Sequence, residues 1–404
     1  MLLMVTIFKM SCNSYAGGRE RVAAWTAGVR RGIIGKGNQL KPIVVQGPMG
    51  PRIRVEGREY LFFGGTDYLG FAARPEVREG AHRAIDGFGI SSSSSRSSMG
   101  TNELHLALEK AIGRFAGSRD AVIMGSGYLA MNSLLSGALE KGDLVLLQRD
   151  AHASIVEAVR ARLDGWLEFD LDRPDRLAEL IREKAPAEGR VVVVGEGVAP
   201  LFGRVFPLNE VLEVLSDHKH LVLLDDAHGF GVLGQRGRGT VEHTGCAGRE
   251  VMACATLSKA FGTYGGCIPA ERETADRIRS RSLVYQCSTP LPAPLAGAAL
   301  AAFEYVEDHP EIFARLKANS RLLKAGLAEV GIPTDHPEVP IVPVCLGGAQ
   351  ATRRLSQRLF ERGIIAPYSI YPGSPEGGMV RLAVSAAHDE EQIRQLVAAV
   401  KEVI

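Results

Sequence analysis

The chain has 404 residues, 46% hydrophobic and 23% charged, with Lys+Arg 47 against Asp+Glu 46 and a formal net charge of +1. That length and composition suit an ordinary globular protein with one large and one smaller domain, each burying a core. The balanced charge excludes a bulk field aimed at nucleic acid or a membrane surface, and no stretch reaches the roughly 18 unbroken apolar residues of a membrane helix.

Residues 1–60 read as an N-terminal extension or arm. Its opening, MLLMVTIFKMSCNSYAGG, has an apolar run without a basic leader, which favours a mobile extension over a secretory signal. The basic clusters RRGIIGK (30–36) and GQRGRG (234–239) read as solvated loops, and SSSSSR (91–96) by composition as a flexible one. Cysteines 12, 246, 254, 267, 287 and 345 form no CxxC pair and no zinc spacing. No metal is expected, Cys254 and Cys267 read as small core fillers, and a cytoplasmic location is the default.

From Ala121 short apolar runs alternate with helical patterns. The runs are AVIMGSG, DLVLLQRD, RVVVVGEG, HLVLLDDAH and EVMACATLSK; between them lie stretches such as ASIVEAVRARL and LNEVLEVLSDH. Unbroken apolar runs predict strands buried on both faces of a mainly parallel sheet, hence an α/β layered domain. Each run ends in polar or Gly-rich residues: Ser126-Gly127, Arg149-Asp150, Glu196-Gly197, Asp225-Asp226 and Ser258-Lys259. Ligands of open α/β sheets bind at the carboxyl ends of the strands, so these residues are predicted to gather around one pocket. After STPLPAP (288–294) a long helical stretch, interrupted at His309-Pro310, leads to IPTDHPEVPIVPVCLGG and a strand-like MVRLAVSA. That pattern predicts a smaller C-terminal α/β domain.

An apolar strand ending Asp-Asp-Ala-His, followed one strand later by Thr-Leu-Ser-Lys, suits the holding of pyridoxal phosphate. Lys259 supplies a partly neutral amine for a Schiff base with the aldehyde. Asp225, at a buried strand end, pairs with the pyridine nitrogen and keeps it protonated, so that the ring accepts electrons. His228, three residues on, reaches the opposite edge and the phenolate oxygen. For the phosphate, the turn at Ser126 and Gly127 enters a helix whose N-terminus attracts anions, and Thr256 and Ser258 add hydroxyls. Each residue alone has a plainer reading: a strand-end Asp is usually a turn or cap residue, and a lysine after a strand usually faces solvent. His152, in DAHAS, could simply cap the helix begun by Ser154. Their order on successive strand ends favours the joint reading.

The stretches GREYLFFGGTDYLGF (57–71), SRSSMGTNELHLALE, SGYLAMN, DAHASI, DDAHGFGVLGQRGRGTVEH, TLSKAFGTYGG, CSTPLP and VRLAVSAAH resemble the α-oxoamine synthase family of fold-type-I pyridoxal-phosphate enzymes. The resemblance implies an α/β fold-type-I transferase, its mainly parallel central sheet flanked by helices on both faces. It implies a large cofactor-binding domain over 61–294 and a small C-terminal α/β domain over 295–404. By position it makes Lys259 the Schiff-base lysine, Asp225 the pyridinium partner, His228 the phenolate partner and His152 the residue stacked on the ring. Gly127 and Tyr128 would offer backbone amides to the phosphate, and Thr256 a hydroxyl. Thr289 would reach the neighbouring subunit's phosphate, making the active unit a homodimer, and Arg381 would bind the amino-acid carboxylate.

The implied reaction is decarboxylative condensation of a small α-amino acid with an acyl thioester, carried by coenzyme A or a carrier protein. An aminotransferase or lyase on the same scaffold is the alternative, and a non-catalytic cofactor-binding regulator a further one. The chain departs from the family pattern in EGVAPLFG, where Pro200 and Phe202 replace Ser and Asp, and at Thr66 and Met131, where Asn is usual. The departures leave the cofactor residues intact and bear on substrate identity.

Overall fold

A computed structural model describes residues 43–370 and 374–404. The N-terminal stretch with Cys12 and RRGIIGK therefore lies outside the described residues. The first elements are strands β1 (Val45–Gln46), β2 (Arg52–Val55) and β3 (Arg58–Phe62). The central sheet follows: β4 (Asp120–Met124), β5 (Leu144–Gln148), β6 (Leu167–Phe169), β7 (Val191–Glu196), β8 (His220–Asp225), β9 (Val251–Thr256) and β10 (Gly266–Ala270). Its spatial order is β4-β10-β9-β8-β7-β5-β6. Strands β6, β5, β7, β8 and β9 pair in parallel, while β10 is antiparallel to both β9 and β4. The expected mainly parallel sheet is thus present, with one reversed strand the sequence did not announce.

Unbroken apolar runs have a direct cause here. Along β7, Val192 and Val194 join one core with Leu134, Ile155 and Ile278, while Val191 and Val193 face the opposite core with Leu212. Successive side chains of a strand point to opposite faces, so only apolar residues satisfy both. The helix Gly127–Ala138 belongs to the first face, and Pro174–Lys184 and Leu208–Val214 to the second.

Beyond the interruption at His309-Pro310, which separates helices Ala293–Asp308 and Glu311–Glu329, come β11 (Ile341–Val344), β12 (Ile364–Ile365), β13 (Tyr368–Ser369) and β14 (Met379–Ala383). Strands β11, β14 and β13 form an antiparallel sheet, and β12 pairs in parallel with β3. Helices Ala349–Glu361 and Glu390–Val403 cover them around Leu323, Val342, Leu355, Leu382 and Leu396. Two backbone bonds strap the segment after β3 to the one after β14: Ala383 N–H donates to Phe63 O and Ala386 N–H to Tyr68 O, each at 2.7 Å. That strap sets Tyr68 beside Arg381.

Two loops differ from their compositional reading. The Ser-rich loop is anchored: Arg96 inserts into the interior and pairs with buried Glu109 at 3.0 Å, because helix Glu103–Ala116 places that carboxylate beneath it. In GQRGRG, Arg236 is exposed, but Gly237 is buried and half-buried Arg238 is turned toward Gly117. Cys254 and Cys267 are buried, as expected of core fillers.

Candidate functional site

The carboxyl ends of β4, β5, β7, β8 and β9 lead into Gly127, His152, Glu196, Asp225 and Lys259 respectively. Asp225 ends β8, and Ala227 N–H donates to its Oδ1 at 3.1 Å. Burial pushes its carboxyl up, while Lys259, the Ala227 amide, His152 and a hydrogen bond from Ser154 pull it down. Lys259 is half-buried. Burial lowers its ammonium from the usual value, and Asp225 and Glu196 oppose that shift. A partly desolvated amine facing a carboxylate is the condition a covalently bound aldehyde requires. The turn after Lys259 closes through Gly262, whose N–H donates to Lys259 O at 2.9 Å. Gly262 has φ +57°, and a Cβ there would lie 2.4 Å from Ala72 N, so glycine is required.

His152 caps helix Ala153–Arg160: its Nδ1 accepts from Ser154 N–H at 3.2 Å and lies 2.8 Å from Ser154 Oγ. The capping reading therefore holds, and the residue as a whole is exposed. Burial around the ring holds its pKa below the usual histidine value, with Asp225 opposing. The polar run at Arg149 behaves differently from the others. Its guanidinium turns outward to Glu168 and Asp170, at 3.9 and 3.5 Å. It leaves the pocket because β6 and the residue after it present two carboxylates at that edge.

A cradle forms where the helix start after β4 approaches the end of β9. Ser126 Oγ accepts from Leu129 N–H at 3.2 Å and caps helix Gly127–Ala138, whose first N–H groups, from Gly127 and exposed Tyr128, have no intrahelical acceptor. A Cβ on Gly127 would lie 2.8 Å from Thr256 Cβ, so only glycine lets β9 approach the helix start this closely. Thr256 Oγ1 donates to Gly265 O at 3.0 Å and lies 2.7 Å from the Oγ of exposed Ser258. Amides at a helix start beside two hydroxyls match a phosphate, and an amine facing a strand-end carboxylate matches an aldehyde and a pyridine nitrogen. The residues present fit pyridoxal phosphate.

His228 is buried, and its Nδ1 lies 2.8 Å from Tyr68 Oη. Burial, followed by the nearby charges of Lys259 and Arg381, keeps its pKa well below the ordinary histidine value. Arg381, on β14, donates from Nε to Pro200 O at 2.8 Å and from Nη2 to Tyr68 Oη at 3.0 Å. The acceptor at position 200 is a backbone carbonyl, so this contact does not depend on the departure to proline. Thr289 is exposed and makes no hydrogen bond among the described residues, so within one chain it stands apart from the others.

Tyr68 was not singled out by sequence reasoning, although it sits in the quoted stretch TDYLG, whereas Glu196 and Asp226 were marked only as strand-end residues of the pocket. Asp226 Oδ1 accepts from Thr240 Oγ1–H at 2.6 Å and its Oδ2 from Thr240 N–H at 2.8 Å. Cβ atoms on Gly197, Gly229 and Gly239 would fall 2.2, 2.1 and 2.0 Å from its carboxylate oxygens. Burial lifts its carboxyl to about 6.

Glu196 pairs in register with Asp225, is 6% exposed and accepts His152 N–H at Oε1, 3.2 Å away. Burial first, and Asp225 second, push its carboxyl from 4.5 up to about 8. The native state therefore keeps a proton that the unfolded chain releases. Its contribution to stability is complete below about pH 4.5 and drains away as pH rises toward 8, by at most about 1.4 kcal/mol per unit. We expect Glu196→Gln to flatten this slope in denaturation midpoints of the cofactor-free protein recorded between about pH 5 and 8. An unchanged slope would contradict the assignment.

The model of the family described as aminotransferase class I and II matches residues 58–400. The chain is 35% identical over 359 residues to 8-amino-7-oxononanoate synthase of Trichlorobacter lovleyi, covering 87% of this chain and 91% of that one. It is 34% identical over 363 residues to the enzyme of the same name from Geotalea daltonii, covering 89% and 92%. Among solved structures, serine palmitoyltransferase of Sphingomonas wittichii superposes with a TM-score of 0.86 at 28% identity, covering 94% of this chain and 96% of that one. Serine palmitoyltransferase from S. paucimobilis, solved with bound PLP and myriocin, gives the same TM-score and the same coverage at 26% identity. With the site geometry and these similarities together, the chain belongs to the aminotransferase class I and II family, as an α-oxoamine synthase among the fold-type-I pyridoxal-phosphate enzymes.

Proposed function

We propose that this chain is a pyridoxal-phosphate-dependent C-acyltransferase that joins a small α-amino acid to an acyl thioester. In that reaction a C–C bond forms to the acyl carbon, the thioester C–S bond and the carboxylate C–C bond break, and an α-amino ketone, carbon dioxide and a free thiol leave. The placement of Lys259, Asp225 and His152 at the carboxyl ends of β9, β8 and β5 carries this reading. When bound, the cofactor supplies an electron sink for negative charge at the amino acid's α-carbon. Lys259 would hold the aldehyde and, at Nζ, take up the α-proton. Asp225 would pair with the pyridine nitrogen, His228 with the phenolate oxygen, and His152 would lie against the ring. Gly127, Tyr128, Ser126, Thr256 and Ser258 would hold the phosphate.

Arg381 grips the substrate carboxylate. Its Nε and one Nη2 hydrogen are spent on Pro200 and Tyr68, so the Nη1/Nη2 end remains for a bidentate contact. Incubating the holoenzyme with amino acids and acyl-coenzyme A should release free thiol together with carbon dioxide. Arg381→Lys should weaken amino-acid binding roughly tenfold or more while cofactor retention stays normal, since lysine offers a point charge instead of a fork. An oxo acid formed without thiol would favour an aminotransferase instead.

We further propose a homodimer in which Thr289 completes the neighbour's phosphate site. Exposed Met99 (87%) and Leu283 (71%) support such a face, and Ser97 Oγ–H, bonded to Gln286 O at 2.9 Å, joins their two segments. Specific activity should fall on dilution in step with dimer dissociation, and a fully active monomer by light scattering would overturn it. The division into an arm over 1–60, a large domain over 61–294 and a small one over 295–404 is part of the same proposal; β2 and β3 would tie the arm's end to β12. No helix among the described residues is long and apolar enough to cross a membrane. The free cysteines 246, 254, 267, 287 and 345 support a reducing, cytoplasmic location.

A further inference from the structure

Arginine carries only donors, so the 3.0 Å contact from Arg381 Nη2 makes the Tyr68 oxygen an acceptor there. Among the described residues the phenol's own hydrogen then has one partner in reach, His228 Nδ1 at 2.8 Å. Were Nδ1 the donor instead, that buried hydrogen would be left without an acceptor, so Nδ1 accepts and the ring proton sits on Nε2. The direction of every bond in the chain Arg381–Tyr68–His228 follows from the first donor and from this cost.

We infer that Tyr68 is a positioning residue: it holds His228 as the Nε2–H tautomer and joins that imidazole to the guanidinium of Arg381. Tyr68 is 1% exposed and His228 8%, so water does not compete for either bond. The backbone holds the phenol in place, because Ala386 N–H donates to Tyr68 O at 2.7 Å and Tyr68 N–H to Thr66 O at 2.8 Å. Burial first, then the charges of Lys259 and Arg381 and of nearby His152, disfavour imidazolium and leave the neutral ring. A neutral ring held in this way presents one N–H, on the side away from Tyr68. Pro200 O grips the other flank of the guanidinium at 2.8 Å, so Arg381, Tyr68 and His228 keep one relative orientation.

The consequence for the reaction rests on the roles proposed for His228 and Arg381, whereas the tautomer does not. Long-range proton–nitrogen spectra of the 15N-histidine-labelled protein, with the His228 signals assigned through His228→Ala, test it with and without cofactor. The wild type should show a pyridine-like Nδ1 and a protonated Nε2, and Tyr68→Phe should shift His228 toward the other tautomer. An Nδ1–H form in the wild type, or a tautomer unmoved in Tyr68→Phe, overturns the inference; the wild-type spectrum is decisive even should the variant not fold. In the holoenzyme, Tyr68→Phe should also move the pH titration of the cofactor's visible band. It should raise the amino-acid dissociation constant about three- to tenfold, the effect of one neutral hydrogen bond. A tautomer that shifts while the visible band does not would leave the positioning role standing and refute the placement of His228 against the cofactor.

Discussion

Replacing Lys259 with alanine should abolish borohydride fixation of the cofactor to the protein and lower turnover by roughly 10⁴-fold, the upper end for one proton-transfer group. The size follows from two duties on one nitrogen: the covalent hold on the aldehyde and the movement of the α-proton. Its environment suits both, since burial holds the ammonium's pKa below the ordinary lysine value while Asp225 opposes that shift. Peptide mapping after reduction of the wild type should find the label on Lys259. A label on any other lysine would overturn the assignment, as would an alanine variant retaining a tenth of wild-type turnover.

A second large effect should come from a residue far from that chemistry. Arg96 and Glu109 pair at 3.0 Å with side chains only 4% and 5% exposed. Glu109 also accepts Ile123 N–H at 3.2 Å, and Arg96 Nε donates to Thr101 Oγ1 at 3.0 Å, so one ion pair ties the Ser-rich loop, helix Glu103–Ala116 and β4 together. Without Arg96, buried Glu109 keeps, among the described residues, only the longer ion contact to Arg279 at 3.7 Å, so the loss should approach the roughly 3–5 kcal/mol of a broken buried pair. Arg96→Ala should lower the denaturation midpoint accordingly. Arg96→Met combined with Glu109→Leu should recover part of the loss, short of the acceptor that Ile123 N–H then lacks. A fall below about 1 kcal/mol in Arg96→Ala would mean that the loop is held by other contacts.

Much of this architecture was legible in the sequence because burial on both faces writes itself into composition. RVVVVGEG and HLVLLDDAH could be little else than inner strands, and their polar ends marked the pocket. Strand β10 escaped because Gly266–Ala270 is five residues long, contains Pro269 and follows a glycine pair. Neither length nor period separates such a run from a loop. The Ser-rich loop was misread for a related reason: composition reports the many serines, whereas order depends on one arginine meeting a carboxylate 13 residues away. Arg149 shows the limit of strand-end logic, since position brings a residue to the rim but its partners decide which way it turns. Tyr68 was beyond reach altogether. Its partners His228 and Arg381 lie 160 and 313 residues off, brought near by two strap bonds with no sequence signature.

The three glycines crowded against Asp226 have a practical consequence for anyone wishing to alter the substrate range. Gly197, Gly229 and Gly239 come from separate turns, and each leaves less room than a methyl group needs beside that carboxylate. Asp226 follows Asp225 directly, so a side chain forced in at any of the three would be felt one peptide along, at the proposed pyridine partner. Distance from the substrate is therefore a poor guide to which codons tolerate randomisation. A library drawn as a sphere around the bound amino acid would spend much of its diversity on inactive clones at these three positions, and it should hold them fixed while varying Pro200, Phe202 and Thr66.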